Sequence, residues 1–258
     1  MHARLYWLVA TLLVALPVVA DSPRPRIAII IDDLGYERVA GERAITLPGP
    51  LAYAVLPGAP RARQLADKAH ADGKEVLLHL PLQAENDDEP VEPGSLVLDM
   101  SRGQFASTFA DDMNAVPHVI GINSHRGSLL TRHPGHMGWL MDEILDRGGD
   151  LFFIDSYTTA HSVALSIARE NGVPSARRDV FLDPDSSPET VAREFTRLKK
   201  IARQQGFAVG IGHPYPATLD FLQQALPELD SEGYDLISIS ELITVQQQRR
   251  DLTTASGE

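Results

Sequence analysis

The chain of 258 residues contains no cysteine. This absence excludes a disulfide framework, a thiolate zinc site and a cysteine nucleophile. Any metal ion must therefore be held by histidine, aspartate or glutamate. Stability must come from the packed core alone, and a hydrophobic content of 43% in a chain of this length is ample for one.

Basic residues are scarce relative to acidic ones. The chain has 23 lysines and arginines against 35 aspartates and glutamates, a formal net charge of −12. Such a chain repels phosphate at long range, which argues against a nucleic acid or an anionic membrane surface as its partner. A neutral or cationic ligand fits this charge better, and no feature of the sequence identifies a protein partner.

The first residues form the one long hydrophobic run. Residues 5–20 are almost wholly apolar and follow a short polar segment with His2 and Arg4. Small residues at 18–20 offer a cleavage position before Asp21, which predicts a signal peptide over residues 1–20, a linker over 21–26 and a periplasmic or otherwise extracytoplasmic protein. The alternative is an uncleaved anchor, although the run is short for a membrane span of about 20 residues. After cleavage we expect no stable membrane insertion.

Beyond the linker, short apolar runs alternate with segments of helical period, which is typical of βα units around a parallel sheet. The predicted strands are 27–31, 51–56, 75–80, 119–122, 151–154, 179–182, 207–211 and 235–239. The predicted helices are 59–71, 103–115, 135–147, 161–171, 188–205 and 217–229. No composition break divides them, so we expect one domain over residues 27–245 and a polar tail over 246–258.

This pattern fits either a barrel or an open doubly wound sheet, and the pattern alone does not choose between them. The acidic stretch 83–99, rich in proline and glycine, is too long and polar for an ordinary connection. We expect it to be a surface excursion beside the functional site.

Unusual polar residues stand where the predicted strands end, the edge that hosts active sites in α/β folds. The pair Asp32-Asp33 follows the first strand, His79 lies near the end of the third, and His125 follows the fourth. A divalent cation would relieve the repulsion between two neighbouring acids, and two imidazoles with one carboxylate form the open ligand set of a catalytic zinc site. For Asp183, after the sixth strand, the preferred interpretation is an ordinary helix cap or turn.

Seven segments occur in an order that resembles the divergent polysaccharide deacetylase family, a remote branch of the metal-dependent carbohydrate deacetylases. They are IAIIIDDLG, LAYAVLPGA, VLLHLPLQ, GINSHRGS, FFIDS, RDVFLD and GIGHPYP, and together they span about residues 26–243. The resemblance implies a distorted β/α barrel of about seven parallel strands with outer helices, with its site at the strand ends.

The resemblance also implies a ligand set and a cofactor, zinc or another divalent metal. Ordinary members of the broad class carry two metal histidines about four residues apart, whereas no histidine follows His79 at that spacing. The second histidine must then come from another strand. The implied ligands are Asp33, His79 and His125.

Further roles are implied by the same resemblance. Asp32 would be the general base and His213 the general acid, while Arg126 and Asp155 would orient the base. We expect three more residues to contact the substrate: Asn123, Ser128 and Tyr215.

The implied activity is that of a metal-dependent hydrolase that removes N-acetyl groups from an envelope polysaccharide or oligosaccharide. The alternative is a metal-binding or glycan-binding envelope protein without turnover. An esterase that uses Ser128 or Ser156 as nucleophile is disfavoured, because neither serine lies in a nucleophile elbow.

The first prediction concerns the leader. The protein isolated after export is expected to begin near Asp21, because the hydrophobic run ends in a pattern of small residues. Intact-mass measurement checks this. A mass that still includes residues 1–20 would contradict the cleavage prediction.

Overall fold

The computed structural model describes residues 23–85, 91–148 and 151–256, with side chains up to residue 249. The predicted signal peptide lies outside the described residues. Within those ranges, every helix is too short or too polar to cross a membrane.

In the described part of the chain, nine strands alternate with eight α-helices. The strands are β1 (Arg26–Leu34), β2 (Ala52–Val55), β3 (Glu75–Leu82), β4 (Val119–Arg126), β5 (Phe152–Asp155), β6 (Ser175–Arg177), β7 (Val180–Phe181), β8 (Phe207–Gly212) and β9 (Asp235–Leu236). The helices are α1 (Arg38–Ile45), α2 (Ala62–Ala71), α3 (Arg102–Ala115), α4 (Pro134–Asp146), α5 (Ala164–Glu170), α6 (Pro188–Gln205), α7 (Pro216–Ala225) and α8 (Ile239–Ser256).

The strands form a parallel sheet in the order of a β/α barrel that is open at one place. The order is β6-β5-β4-β3-β2-β1-β8-β7, with β9 beside the start of β1. This confirms the predicted distorted barrel, with eight strands along the path where about seven were expected. The order also excludes an open doubly wound sheet, in which strands are added first towards one edge of the sheet and then towards the other.

The opening lies between β6 and β7, and the chain itself crosses it. The amide of Arg178 donates to the carbonyl of Asp155 at 3.0 Å, and the amide of Asp179 donates to the carbonyl of Val209 at 2.9 Å. Two residues therefore carry the chain from beside β5 to beside β8 without a helix between. This short crossing is the distortion of the barrel.

The core has two layers, separated by the sheet. Successive residues of β1 alternate between them: Ile27 and Ile29 pack with the outer helices, whereas Ala28 and Ile30 face the interior. Because both faces are buried, β1 is a continuous apolar run. Residues of α8, including Leu242, belong to the interior cluster, so α8 packs against the interior face of the sheet.

The carboxylate of Glu75, at the start of β3, fixes the first turn of α8. It accepts from the amides of Ile239 and Ser240 at 2.9 and 3.3 Å. A carboxylate at a helix N-terminus accepts hydrogen bonds from the free amides and interacts favourably with the positive end of the helix dipole. The end of the barrel where the strands begin is thus closed, which leaves the opposite rim for the site.

Four elements, α1, β6, β9 and α8, differ from the predictions. Helix α1 and strand β6 were missed, because α1 has few periodic apolar positions and β6 has only three residues. The predicted strand 235–239 is reduced to the two residues of β9, after which α8 runs to Ser256 through most of the expected polar tail.

The second prediction concerns Asp112 on α3. Burial, with a smaller contribution from Asp111, raises the pKa of Asp112 to about 7, and its Oδ2 has no hydrogen-bond partner. Because the folded-state pKa exceeds the unfolded value of about 3.9, this group lowers stability as pH rises from about 4 through 7. Asp112→Asn is expected to raise the free energy of unfolding at pH 8 by on the order of 2 to 4 kcal/mol.

Denaturant unfolding at several pH values measures the effect. The gain should shrink as pH falls below 7, since the native carboxyl is then neutral. Asp111→Asn, which changes an exposed neighbour, is the control and should have little effect. A gain that is independent of pH would contradict the assignment.

Candidate functional site

A cavity of about 380 Å³ lies at the rim where the strands end. The predicted residues that line it come from different strands, as the parallel arrangement requires. Its charged and titratable lining consists of Asp32, Asp33, His79, His125, Arg126, Arg178 and His213.

A bulge in β1 brings both acids into the cavity. In a regular strand, adjacent side chains point to opposite faces. Here the pairing of β1 with β2 shifts register between Ile31 and Leu34, and Asp33 has a φ of 59°. This left-handed conformation is strained in a residue other than glycine, at a cost of about 1 to 3 kcal/mol. As a result, Asp32 and Asp33 both line the cavity, with Asp32 the more deeply buried.

Asp33, His79 and His125 converge on one point. Oδ1 of Asp33 lies 3.1 Å from Nε2 of His79 and 3.2 Å from Nδ1 of His125, and the two nitrogens are 3.1 Å apart. Ligand atoms around a tetrahedral zinc ion, at bonds of about 2.0 to 2.1 Å, are separated by about 3.3 to 3.4 Å. The triangle therefore has nearly the size of one face of such a tetrahedron.

The chemistry of these three atoms also fits a cation. Oδ1 of Asp33 is buried and has no hydrogen-bond partner, although two ring nitrogens are within reach. Burial would raise the pKa of Asp33, but its contacts with His125 and His79 hold that pKa far below the ordinary range. Burial would likewise lower the pKa of His79, yet the charge of Asp32 and the contact with Asp33 raise it to about 9. The same negative potential favours a divalent ion.

The side chain of Asn123 lies between Asp32 and His79 and contacts both. Its amide nitrogen donates to Oδ1 of Asp32 at 2.8 Å, and its oxygen lies 2.9 Å from Nδ1 of His79. An ionised carboxylate only accepts, so the amide oxygen faces His79 and Nδ1 carries the proton. Nε2 of His79 then faces Oδ1 of Asp33 and Nδ1 of His125. These three atoms form the candidate ligand cluster. Asn123 is fully buried, and its predicted contact with the substrate stays a prediction.

Glu92 contacts the ring nitrogen of His125 that faces away from Asp33 and His79. Its carboxylate oxygens lie 3.4 Å from Nε2 of His125, and one is 3.3 Å from Nη2 of Arg126. A proton on Nε2 directed at Glu92 leaves Nδ1 for the ligand cluster. Glu92 belongs to the stretch 83–99, where sequence reasoning expected an excursion beside the site but selected no residue.

Arg178 is a cationic residue of the cavity wall. Its Nε and Nη2 donate to the carbonyls of Ser156 and Tyr157 at 2.6 and 2.8 Å, which hold it at the cavity wall. Burial lowers the pKa of Arg178, and the charges of Asp32 and Asp155 oppose that shift. Sequence reasoning quoted Arg178 in RDVFLD without giving it a role.

The predicted pair of Arg126 and Asp155 has a different arrangement. Arg126 forms its contact with Glu92, while Asp155 is buried and accepts from the amide of Tyr157 and the hydroxyl of Ser162 at 2.9 and 2.8 Å. Burial lowers the pKa of Arg178, and the charges of Asp32 and Asp155 both act to raise it. The expectation that Arg126 and Asp155 orient Asp32 stays a prediction.

Asp183 holds His213. Its Oδ1 lies 3.0 Å from Nδ1 of His213, and its Oδ2 accepts from the His213 amide and the Thr218 hydroxyl, both at 2.7 Å. Nε2 of His213 faces Oδ2 of Asp33 at 3.6 Å. Burial would lower the pKa of His213, but Asp183, with Asp32 and Asp33, raises it. The preferred interpretation of Asp183 as an ordinary cap is therefore wrong: it is a buried partner of a cavity histidine.

The remaining candidates lie at the margin. The ring of Tyr215 stacks on that of His213 at 5.3 Å, and its role in substrate contact stays a prediction. Ser128 accepts from the amide of Glu85 at 2.9 Å and is not among the residues that line the cavity, and its predicted contact with the substrate stays a prediction. Among the described residues, the hydroxyl of Ser156 contacts Asn123 at 3.4 Å and no histidine, which leaves the esterase alternative without a base.

Burial makes Asp32 suited to proton transfer. It raises the pKa of the Asp32 carboxyl, although the charges of His79 and His213 oppose the shift. With Oδ1 bound by Asn123, Oδ2 is the freer oxygen, and it lies 3.6 Å from Nε2 of His79 at the ligand cluster. The cavity therefore holds three convergent ligand atoms, a buried carboxylate and a histidine of raised pKa.

Comparisons with known proteins identify similar chains and a shared fold. The chain is 36% identical to the Escherichia coli (strain K12) protein YibQ over 238 residues, which covers 92% of this chain and 72% of YibQ. The crystal structure of ATU2773 from Agrobacterium tumefaciens C58 matches with a TM-score of 0.81 at 22% identity, over 86% of this chain and 91% of that one. Peptidoglycan deacetylase PdaC from Bacillus subtilis matches with a TM-score of 0.52 at 13% identity, over 90% and 97%.

At these identities the two crystal structures show a shared fold and nothing finer. The family is shown by the sequence itself, since the model of one family covers most of the chain, including the end of β1 with its bulge and the other strands that contribute to the cavity. That model, the divergent polysaccharide deacetylase, matches residues 29–243, and the chain belongs to this family.

Proposed function

We propose that the protein is a metal-dependent hydrolase that removes N-acetyl groups from an envelope polysaccharide or oligosaccharide outside the cytoplasm. One observation carries the proposal: the Asp33, His79 and His125 triangle lies in the same cavity as Asp32 and His213. The family and the fold shared with a peptidoglycan deacetylase of Bacillus subtilis support the substrate class.

The ligand set fits zinc better than magnesium or calcium, because two imidazoles and one carboxylate are its usual ligands. Zinc at that position would supply Lewis acidity to a water molecule and to the acetamide carbonyl. The protein keeps both histidines in the required tautomer through Asn123 and Glu92.

Asp32 is the proposed general base. Its Oδ2 would accept the proton of the attacking water, while Asn123 holds Oδ1 and the charge of Arg178 acts on the carboxylate. A raised pKa suits this role, since it strengthens the base. The water oxygen then forms a bond to the acetyl carbon.

His213 is the proposed general acid. Its Nδ1 proton is engaged by Asp183, which leaves Nε2 to deliver a proton to the amine as the C–N bond breaks. The raised pKa of His213 favours the protonated form needed for that step. The products are acetate and the free amino sugar.

The alternative, a binding protein without turnover, requires only the ligand cluster. It would tolerate Asp32 or His213 turned away from the cavity, yet both line it, and each has a buried partner that orients it. This arrangement favours the hydrolase.

The third prediction tests the ligand set. His125→Ala is expected to lose most zinc binding, since two ligands remain of three. Metal analysis after dialysis against one equivalent of zinc measures this. His161→Ala, at an exposed position outside the cavity, is the control and should retain zinc. Full zinc occupancy in His125→Ala would show that His125 is not a ligand.

The fourth prediction separates turnover from metal binding. Asp32→Asn should keep the fold and the zinc, because the amide is nearly isosteric, but lower acetate release on the order of a hundredfold or more. His213→Ala should also lower the rate. Acetate is measured with N-acetylglucosamine oligomers, chitin fragments and peptidoglycan strands.

The outcomes have distinct meanings. If the unmodified protein releases acetate and both variants match it, the base and acid are assigned wrongly. Zinc binding without acetate release from any of these substrates would favour the binding protein. His161→Ala again serves as the control and should match the unmodified rate.

A further inference from the structure

A second groove, of about 540 Å³, adjoins the cavity. Arg178 and Phe181 line both, so the two spaces meet at the short crossing between β6 and β7. Within the described part of the chain, three arginines line the second groove: Arg177, Arg178 and Arg197. Such a concentration of positive charge is unusual in a chain whose formal net charge is −12.

The guanidinium groups of this arginine groove retain capacity for a ligand. Arg177 is exposed and forms no ion pair within the described residues, and its guanidinium lies 4.2 Å from the centre of the Tyr157 ring. Stacking on an aromatic ring holds a guanidinium plane while its N–H groups stay available. Arg178 uses Nε and Nη2 for backbone carbonyls, so Nη1 is uncommitted to described residues.

The acids of the groove are already engaged. Asp179 accepts from the amide of Val209 at 2.8 Å. Glu194 contacts Arg193 at 3.1 Å and Arg197 at 3.2 Å, so one carboxylate serves two guanidiniums. Among the described residues, no carboxylate lies within ion-pair distance of Arg177 or Arg178, although the charges of Asp32 and Asp155 act on Arg178 from the side of the cavity. A ligand that brings an oxyanion would relieve the repulsion among the arginines.

We propose that the arginine groove binds an anionic group, a carboxylate or a phosphate, on the sugar next to the one that loses its acetyl group. This inference rests on the proposed function, since it names the glycan that the cavity accepts. A planar guanidinium donates two parallel hydrogen bonds to such groups, which gives orientation as well as affinity. The groove would therefore fix which acetamide of a polymer enters the cavity.

The net charge of the protein is compatible with this assignment. Beyond a Debye length of about 8 to 10 Å, salt screens the acidic surface, whereas a ligand in the groove is in direct contact with the arginines. The acidic surface still disfavours a polyanion of high charge density. A glycan with isolated charges, separated by neutral N-acetylated sugars, satisfies both conditions.

The test compares charged probes with matched neutral ones. The first pair is a tetrasaccharide of alternating N-acetylglucosamine and glucuronic acid and its methyl ester; the second is an N-acetylglucosamine tetramer with and without a 6-phosphate. Binding is measured by calorimetry at low ionic strength in the Asp32→Asn background, so that turnover does not interfere. At least one charged probe is expected to bind about tenfold tighter than its neutral partner.

The double variant Arg177→Gln/Arg197→Gln should reduce that ratio to within about twofold, with Arg178 left in place because it also holds the cavity wall. Arg203→Gln is the matched control. Arg203 also lies on α6 but packs over Tyr234 in a different groove, so this variant should keep the preference. A preference confined to one pair assigns the carboxylate or the phosphate.

Equal binding of the charged and neutral members of both pairs would overturn the inference. So would a preference that survives in the double variant. Acetate release from the neutral tetramer, measured with Asp32 restored, tests the proposed function separately: the double variant should match the unmodified protein there. Absence of release from every probe would refute the hydrolase while the binding ratio still decides the groove.

Discussion

The amide of Asn123 is the interaction on which the site depends. It lies fully buried between Asp32 and His79, and its two ends have opposite hydrogen-bonding character. Because Asp32 accepts at one end, His79 donates through Nδ1 at the other, and its remaining nitrogen, Nε2, is the one that faces Asp33 and His125. One neutral side chain thus orients the proposed base on β1 and the proposed metal ligand on β3, without adding charge to a crowded site.

Charge balance explains why the cavity suits a divalent ion. Among the described residues, four carboxylates contact its histidines: Asp32, Asp33, Glu92 and Asp183. The arginines beside them, Arg126 and Arg178, are directed to Glu92 and to backbone carbonyls. Protonated histidines would offset the remaining negative charge but would lose their function as ligands. A divalent cation offsets it while the imidazoles stay neutral, so the ligand set and the charge point to the same group.

The alternation of strands and helices in the sequence was enough to predict which residues meet at the rim. Parallel strands end at one edge, so Asp33, His79 and His125 were expected to meet, and their side chains do converge. Glu92, Arg178 and Asp183 were missed or misread for a shared reason. Each acts through a contact with a residue distant in the chain, and nothing in its own neighbourhood distinguishes it from a surface charge or a helix cap. The bulge at Asp33 was equally invisible, since a strained φ in a residue other than glycine leaves no compositional signal.

The opening of the barrel between β6 and β7 connects the fold with the site. In a regular barrel a helix would join β6 to β7, and the sheet would close beneath it. Here Arg178 and Asp179 make that connection, and their amides bond to β5 and β8 on either side of the gap. A backbone so tightly held positions the Arg178 side chain accurately. Arg178 interacts electrostatically with Asp32 in the cavity, and it lines the adjoining groove together with Arg177 and Arg197. The distortion of the fold and the chemistry of the site therefore have a common origin, because Arg178, one of the two residues that bridge the opening, also lines both the cavity and the groove.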